Sequence, residues 1–187
     1  FNLLSSGMLY RYLSYKIIKN DNKYNKKFIV NQSKSITLKK LENKKLYNPR
    51  VTKLSSIIAK KKFIRNSLKQ FQKNFIKKNK KVIIEGRDIG SVIMPSADLK
   101  IYFKCSIKEK AKRRLKEFKK INKKITLKEV EKALKSRDFS DKNRKESPLL
   151  FVKGAVLVDT TKLTLKQMEL KLINLVKKEL KKKYGNI

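Results

Sequence analysis

The 187-residue sequence predicts an α/β fold built on a doubly wound parallel sheet. Three observations carry that expectation. The apolar, β-branched run Val82-Ile83-Ile84 stops abruptly at Glu85-Gly86-Arg87-Asp88, the pattern of a buried parallel strand running into a polar site. Strand-like and helix-like segments alternate along the chain. The charges after Ile84 also fall at the C-terminal end of a strand, where open α/β sheets bind ligands. Three charged groups around a glycine are costly to bury without partners, so this stretch reads as a site rather than a plain turn.

The elements follow in order. Asn2–Leu4 reads as a strand end and Ser5-Ser6-Gly7 as turn chemistry. Met8, Leu9, Tyr12, Leu13 and Ile17 recur at helical spacing, which predicts a helix over Met8–Ile18. Asn20–Lys27 is a polar loop, and Lys27–Val30 with Ser35–Leu38 predict a small hairpin. Leu41–Pro49 is irregular; Val51–Ala59 and Ile64–Phe75 read as helices. After the Val82–Ile84 strand, Asp98–Phe103 is a second one. Ser106 and Glu109 form a capping box that opens a helix to about Lys120. Thr126 and Glu129 form another, opening a helix to about Ser136, followed by a charged loop, Arg137–Leu149, containing Pro148. Ala155–Val158 is a strand, and Thr164 caps a last helix over about Leu165–Lys182.

At this length folding buries roughly 70% of the unfolded surface. With 40% hydrophobic residues, one domain with a real core is expected. The net charge is +37, from 52 Lys+Arg against 15 Asp+Glu. Such a balance ordinarily points to nucleic acid or another polyanion. Here the excess is mostly lysine, spread over the whole length among many Asn and Ile. Low-GC coding produces that pattern as readily as a selected binding face does. Lysine on solvated helix faces is the plainer account, with some nonspecific, salt-sensitive RNA binding still expected. Cys105 stands alone, which excludes an internal disulfide and is compatible with a reducing compartment. No apolar run approaches the ~20 residues that a spanning helix needs, and Phe1-Asn2-Leu3-Leu4 has no signal-peptide shape.

Four clusters carry chemistry: Ser6-Gly7 with Tyr10-Arg11; Ser56 and Arg65; Glu85-Gly86-Arg87-Asp88; and Arg137-Asp138-x-x-Asp141-x-x-Arg144-x-x-Ser147-Pro148-Leu149. Arginine recurs in all four, in a chain that otherwise prefers lysine. Its rigid fork binds phosphate in a bidentate way that lysine cannot imitate, so Arg11, Arg87 and Arg137 are candidates to converge on a phosphate. Any one of them alone is equally well a helix-surface charge.

Taken together, these motifs resemble those of the bacterial cytidylate kinases. Leu4-Ser5-Ser6-Gly7-Met8-Leu9-Tyr10-Arg11 is similar to the family's LDSGAxYR, Ile84-Glu85-Gly86-Arg87-Asp88-Ile89-Gly90 to its DGRDxGT, and Val158-Asp159-Thr160-Thr161 to its DTT strand end. The RDxxDxxR lid ending in Ser147-Pro148-Leu149 and the GRD turn are the most specific parts. The resemblance spans the chain in family order. It implies a P-loop nucleoside-monophosphate kinase fold, with a CMP-binding insert at about 21–62 and a mobile lid at about 137–151. It implies transfer of the ATP γ-phosphate to CMP or dCMP with Mg²⁺, by a cytoplasmic monomer. Arg11, Arg87 and Arg137 would hold the CMP phosphate. Ser56, Arg65, Asp88 and Arg144 would surround cytosine. Asp141, with Ser6 and Tyr10, would face the ribose. Glu85 would stand near the metal and the reacting phosphates, and with Arg87 and Arg137 it makes up the expected catalytic set. Arg113-Arg114 resembles the adenine-side arginine pair but reads as well as a solvated helix face. Tyr10 could equally be a core aromatic, and Asp159-Thr160-Thr161 a structural strand end. A carboxylate such as Asp88 can accept from the cytosine amino group where uracil presents an oxygen, a contact worth ~1–3 kcal/mol. Phosphoryl transfer needs positioning and charge neutralisation more than a chemical base, which suits a chain without histidine.

The chain departs from the family in three places. No G-x-x-x-x-G-K-[ST] occurs in it; that loop cradles the ATP phosphates. The sequence thus reads as starting at the second strand, from an incomplete gene model rather than a natural pseudoenzyme, and a chain without the loop is expected to be inactive. Ser5 and Glu85 each stand where the family usually has Asp. The readings left open are a basic RNA-binding protein of ribosomal type, a regulatory pseudokinase, and a monophosphate kinase acting on UMP or AMP.

Overall fold

The computed structural model describes residues 1–120 and 125–185. It divides into two compact units, Phe1–Ile93 with Asn143–Leu149, and Met94–Lys142 with Leu150–Ile187.

The first unit is a parallel strand pair backed by helices. β1 (Asn2–Ser5) and β2 (Val82–Glu85) pair in parallel with Leu4 beside Ile84 and Ser5 beside Glu85. A long crossover joins them, as parallel pairing requires. Its central element is α1 (Ser6–Lys19), where Leu9, Leu13 and Ile17 recur every four residues and are fully buried. Burying each such side chain is worth about 1.5–3 kcal/mol. Against this stripe pack α4 (Pro49–Ile58) and α5 (Lys62–Lys78), through Ile58, Ile64 and Leu68. Asn48 caps α4 by accepting from the Arg50 N–H at 2.8 Å, with Pro49 at the first helical position.

The hairpin expected at residues 27–38 is not formed. Lys26–Lys34 is α2 and Leu38–Leu41 is the short α3. The β-branched Ile29 and Val30 favour a strand locally, but tertiary burial overrides that preference. Ile29 and Ser33, four apart, are both buried, and the Ser33 hydroxyl donates to the Ile29 carbonyl at 2.8 Å. Asn25 and Thr37 cap the two helices, accepting from Phe28 N and Lys40 N. A 3₁₀ turn follows at Lys44–Tyr47, inside the stretch read as irregular, and plants Leu46 in the core.

β2 is parallel as expected, but it is not buried on both faces. Leu4 faces the core at 1% exposure, whereas its neighbours on the other face, Leu3 and Ile83, are 63% and 50% exposed. Side chains alternate across a strand, and the helices of this unit pack on the Leu4/Ile84 side of the pair.

The second unit holds a second parallel pair, β3 (Lys100–Lys104) with β4 (Ala155–Asp159). α6 (Ile107–Lys120) follows β3. Its Ser106 hydroxyl accepts from Glu109 N at 3.3 Å, while the Glu109 carboxylate turns to Arg113 instead of completing a capping box. α7 (Leu127–Asn143) opens with both halves of the Thr126–Glu129 box formed. It runs past the expected end at Ser136, so the first half of the segment read as a charged loop is helical. α8 (Leu165–Tyr184) begins with a complete Thr164–Gln167 box. The strands form two separate two-stranded parallel sheets and not the one doubly wound sheet expected, while the α/β order and the parallel pairing agree with the sequence reading. No helix among the described residues is long and apolar enough to cross a membrane.

Candidate active site

Glu85, Arg87 and Asp88 lie where β2 ends, and Arg65, Tyr10 and Arg144 meet there around Asp88. Glu85 closes the strand, and Gly86 lets the chain turn against the start of α1. A Cβ on Gly86 would lie 2.9 Å from the Ile89 side chain, closer than real Cβ contacts come, and 3.1 Å from Ser6 Cβ. Asp88 then starts a π-helical turn, Ile89–Ile93, in which the Asp88 carbonyl accepts from Val92 N at 2.9 Å and Ile93 N at 3.3 Å. Single π turns of this kind often occur at functional sites. Here the turn fixes the Asp88 backbone while its side chain points inward.

Asp88 and Arg65 form a buried ion pair, with side chains 5% and 8% exposed. Arg65 also donates from Nη1 to the Ala59 carbonyl at 3.0 Å, and its guanidinium lies 5.5 Å from the Tyr10 ring centroid. Burial pushes the Tyr10 phenol up to about 12; the Asp88 charge adds to that rise, while Arg65 and Arg144 oppose it. Tyr10, Arg65, Asp88 and Arg144 are therefore one electrostatic cluster. Arg144 is oriented within it by a bond from Nε to the Ser147 carbonyl at 2.8 Å, and Ser147 has φ +49°, a left-handed conformation unusual for a residue other than glycine. The cluster pairs one carboxylate with two guanidiniums around a neutral phenol. It offers a hydrogen-bond acceptor beside several fixed donors, the set that reads a polar heterocycle edge.

The other expected residues of this unit are placed in different ways. Ser6 is buried and donates to Gln72 Oε1 at 3.4 Å. Arg11 donates to the Leu46 carbonyl at 3.0 Å and lies 5.5 Å from the Tyr47 ring, so it ties α1 to the 3₁₀ turn. Ser56 is exposed on α4 and donates back to the Lys53 carbonyl. Arg87 lies between Gly86 and Asp88 on the turn, and Glu85 accepts a hydrogen bond from the Ser5 hydroxyl.

In the second unit, Arg137 and Asp141 face each other one turn apart on α7, with Nε and Oδ2 3.9 Å apart. Arg113 is a tie between elements. It donates to the Thr160 carbonyl at 2.7 Å, the Leu163 carbonyl at 3.3 Å and Glu109 at 3.1 Å. Arg114 pairs with Glu117 and stacks on Phe118 at 4.6 Å. The Asp159-Thr160-Thr161 strand end is knitted to β3 and α6. Thr160 N donates to the Lys104 carbonyl at 2.8 Å, and Ser106 N donates to Thr161 Oγ1 at 2.9 Å. Backbone pulled tight by its own hydroxyls matches the structural reading of that motif.

One residue and one pairing escaped the sequence reading. Gln72 is 1% exposed; its signal was a polar residue in the α5 stripe Ile64, Leu68, Gln72, Phe75. The partnership of Ser5 with Glu85 had no local signal, because the two are 80 positions apart. Among the described residues, no group of three or more His, Cys, Asp or Glu side chains is placed to hold a metal ion.

Comparison with known proteins bears on this geometry. The family model described as cytidylate kinase matches residues 1–178. Cytidylate kinase of Fusobacterium nucleatum is 34% identical over 193 aligned positions, covering 97% of this chain and 86% of that protein. That of Alkaliphilus oremlandii is 32% identical over 185 positions, covering 93% and 85%. That of Mycoplasmoides gallisepticum is 33% identical over 195 positions, covering 99% and 86%. The match of the family model over residues 1–178, with relatives at about a third identity over nearly the whole chain, shows that this chain belongs to the cytidylate kinase family of phosphotransferases.

Proposed function

We propose that this chain binds CMP or dCMP as phosphate acceptor, in the reaction that moves the γ-phosphate of ATP to it and yields CDP or dCDP, in the cytoplasm. The observation that carries the reading is the buried Arg65–Asp88 pair with Tyr10 and Arg144 around it, in a chain matched by the family model over residues 1–178. A buried, arginine-held carboxylate keeps a fixed acceptor for an exocyclic amino group. Uracil presents an oxygen to the same point and is rejected, because that leaves two acceptors facing each other. Arg11 and Arg87 are assigned to the acceptor phosphate, and Ser56 to the base. For Ser6 the proposed part is structural support beneath the ribose, since its hydroxyl is turned to Gln72. The roles of Arg137 and Asp141, and of residues 137–151 as a lid, rest on the motif alone, as does the assignment of 21–62 as the nucleotide-binding insert.

The catalytic work assigned to these residues is positioning and neutralisation of phosphate charge. Mg²⁺ would come with the ATP phosphates, since that ion is commonly held by one or two carboxylates plus substrate oxygens. Glu85, exposed at the end of β2, accepts a hydrogen bond from the Ser5 hydroxyl, and a part for it near the metal rests on the motif alone. Because the 187 residues contain no G-x-x-x-x-G-K-[ST], the chain as it stands is proposed to bind the acceptor without turning it over.

Calorimetric titration with CMP, UMP and AMP tests the binding reading. CMP is expected to bind tighter than UMP by roughly 5- to 150-fold, the equivalent of ~1–3 kcal/mol. Equal affinity for UMP or AMP would refute the base assignment. Tight RNA binding with no response to CMP would favour the basic-protein reading instead. Robust CMP-dependent ADP formation by the 187-residue chain would refute the proposed lack of turnover.

A further inference from the structure

We propose that Ser5 is a positioning residue that holds the Glu85 carboxylate across the strand pair and away from the phosphate-binding turn. The inference rests on the CMP-binding reading above for its functional part. β1 and β2 end together, with Ser5 directly beside Glu85 in the parallel register. Both side chains lie on the face that carries Leu3 and Ile83, opposite the core face of Leu4 and Ile84. The Ser5 hydroxyl donates to Glu85 Oε1.

The geometry around the pair leaves little slack. A Cβ on Gly86 would come 2.9 Å from the Ile89 side chain and 3.1 Å from Ser6 Cβ, so the turn after β2 passes close to the start of α1. Glu85 and Arg87 flank that glycine, two positions apart. A carboxylate and a guanidinium that come within reach of each other attract and can pair in a bidentate way. An untethered Glu85 would compete with a phosphate for Arg87 and repel the incoming anion. The glutamate also has the length the tether needs: aspartate would draw the carboxylate back by one C–C bond, about 1.5 Å, and break the bond to Ser5. Ser5 and Glu85 therefore act as a unit. One hydroxyl and one long acid place a single negative charge where two carboxylates would repel each other.

The test compares CMP with cytidine, which lacks the phosphate. Ser5→Ala is expected to weaken CMP binding about two- to fivefold, the scale of one exposed charge–charge interaction, while cytidine binding stays unchanged. Ser5→Thr, which keeps the hydroxyl, should restore CMP affinity. In a Glu85→Gln background, where no charge needs holding, adding Ser5→Ala should change the CMP dissociation constant no further. Equal weakening of CMP and cytidine, or an undiminished Ser5→Ala effect in the Glu85→Gln background, would overturn the proposal. Thermal unfolding of the Ser5→Ala, Glu85→Ala and double variants judges the pairing without any ligand: non-additive shifts are expected, and additive shifts overturn it. A wild-type chain that binds neither CMP nor cytidine would overturn the functional reading and, with it, the charge-steering part of this proposal, leaving the unfolding cycle to decide the tether alone.

Discussion

Asp88→Ala is predicted to be the most damaging single change in the cluster, and the reason is desolvation. Arg65 and Asp88 have side chains only 8% and 5% exposed. Removing one partner of a buried pair leaves an uncompensated charge, at about 3–5 kcal/mol. Arg65 keeps its bond to the Ala59 carbonyl and its contact with the Tyr10 ring, so the lower end, about 3 kcal/mol, is expected. For a chain of this size each kcal/mol shifts the midpoint by roughly 2–4 °C, giving a fall of about 6–12 °C. Removing both charges with Arg65→Met and Asp88→Leu should cost much less, within about 1 kcal/mol of wild type, because well-packed apolar pairs often replace buried ion pairs without loss. Urea unfolding followed by far-UV circular dichroism measures all the variants. The reasoning fails if Asp88→Ala costs under about 1 kcal/mol, or if the double variant costs the sum of the two single ones. Asp88→Asn separates stability from recognition. It keeps the shape and should lose less stability than alanine, yet collapse the preference for CMP over UMP.

Gly86→Ala should destabilise the chain by about 1–3 kcal/mol, since the new methyl overpacks Ile89 and Ser6; a thermal midpoint equal to wild type would contradict this. Tyr10 links stability to alkaline pH. Its phenol is raised from 10.0 to about 12 in the folded state, so the folded chain keeps a proton that the unfolded chain releases. Stability from this group is whole below pH ~10 and is lost as pH rises towards ~12, by roughly 1.4 kcal/mol per pH unit. Tyr10→Phe should flatten that slope in urea unfolding measured across the range, and an unchanged slope would refute the assignment. Arg113→Met should destabilise by about 1–2 kcal/mol, because the Thr160 and Leu163 carbonyls lose a donor. The same variant should leave CMP affinity unaltered, which calorimetry checks. Thr164→Ala removes the cap of α8 and should cost about 0.5–2 kcal/mol in the same unfolding assay.

Much was legible from the sequence because it is encoded locally. The β-branched run at Val82–Ile84, the Leu9/Leu13/Ile17 stripe, the Thr126–Glu129 box and the Thr164 cap each depend on residues within a turn or two of one another. All of them form in the structure. The chemical character of the Glu85–Asp88 turn was also readable, since charges packed around a glycine need a reason. Tertiary structure decided what depends on distant partners. Residues 26–34 are helical because the core accepts Ile29 and Ser33 on one face, which no local β propensity could foretell. The outer face of β2 is exposed at Leu3 and Ile83, while the helices of this unit pack on the Leu4/Ile84 face. Arg65 meets Asp88 across 23 positions, and Ser5 meets Glu85 across 80. Those meetings exist because a parallel pairing must carry the chain through a long crossover and back, so the ends of two strands remote in sequence arrive side by side. The sequence by itself supplied the acids and arginines and the turn that displays them; only the folded chain chose which acid each arginine and hydroxyl would hold.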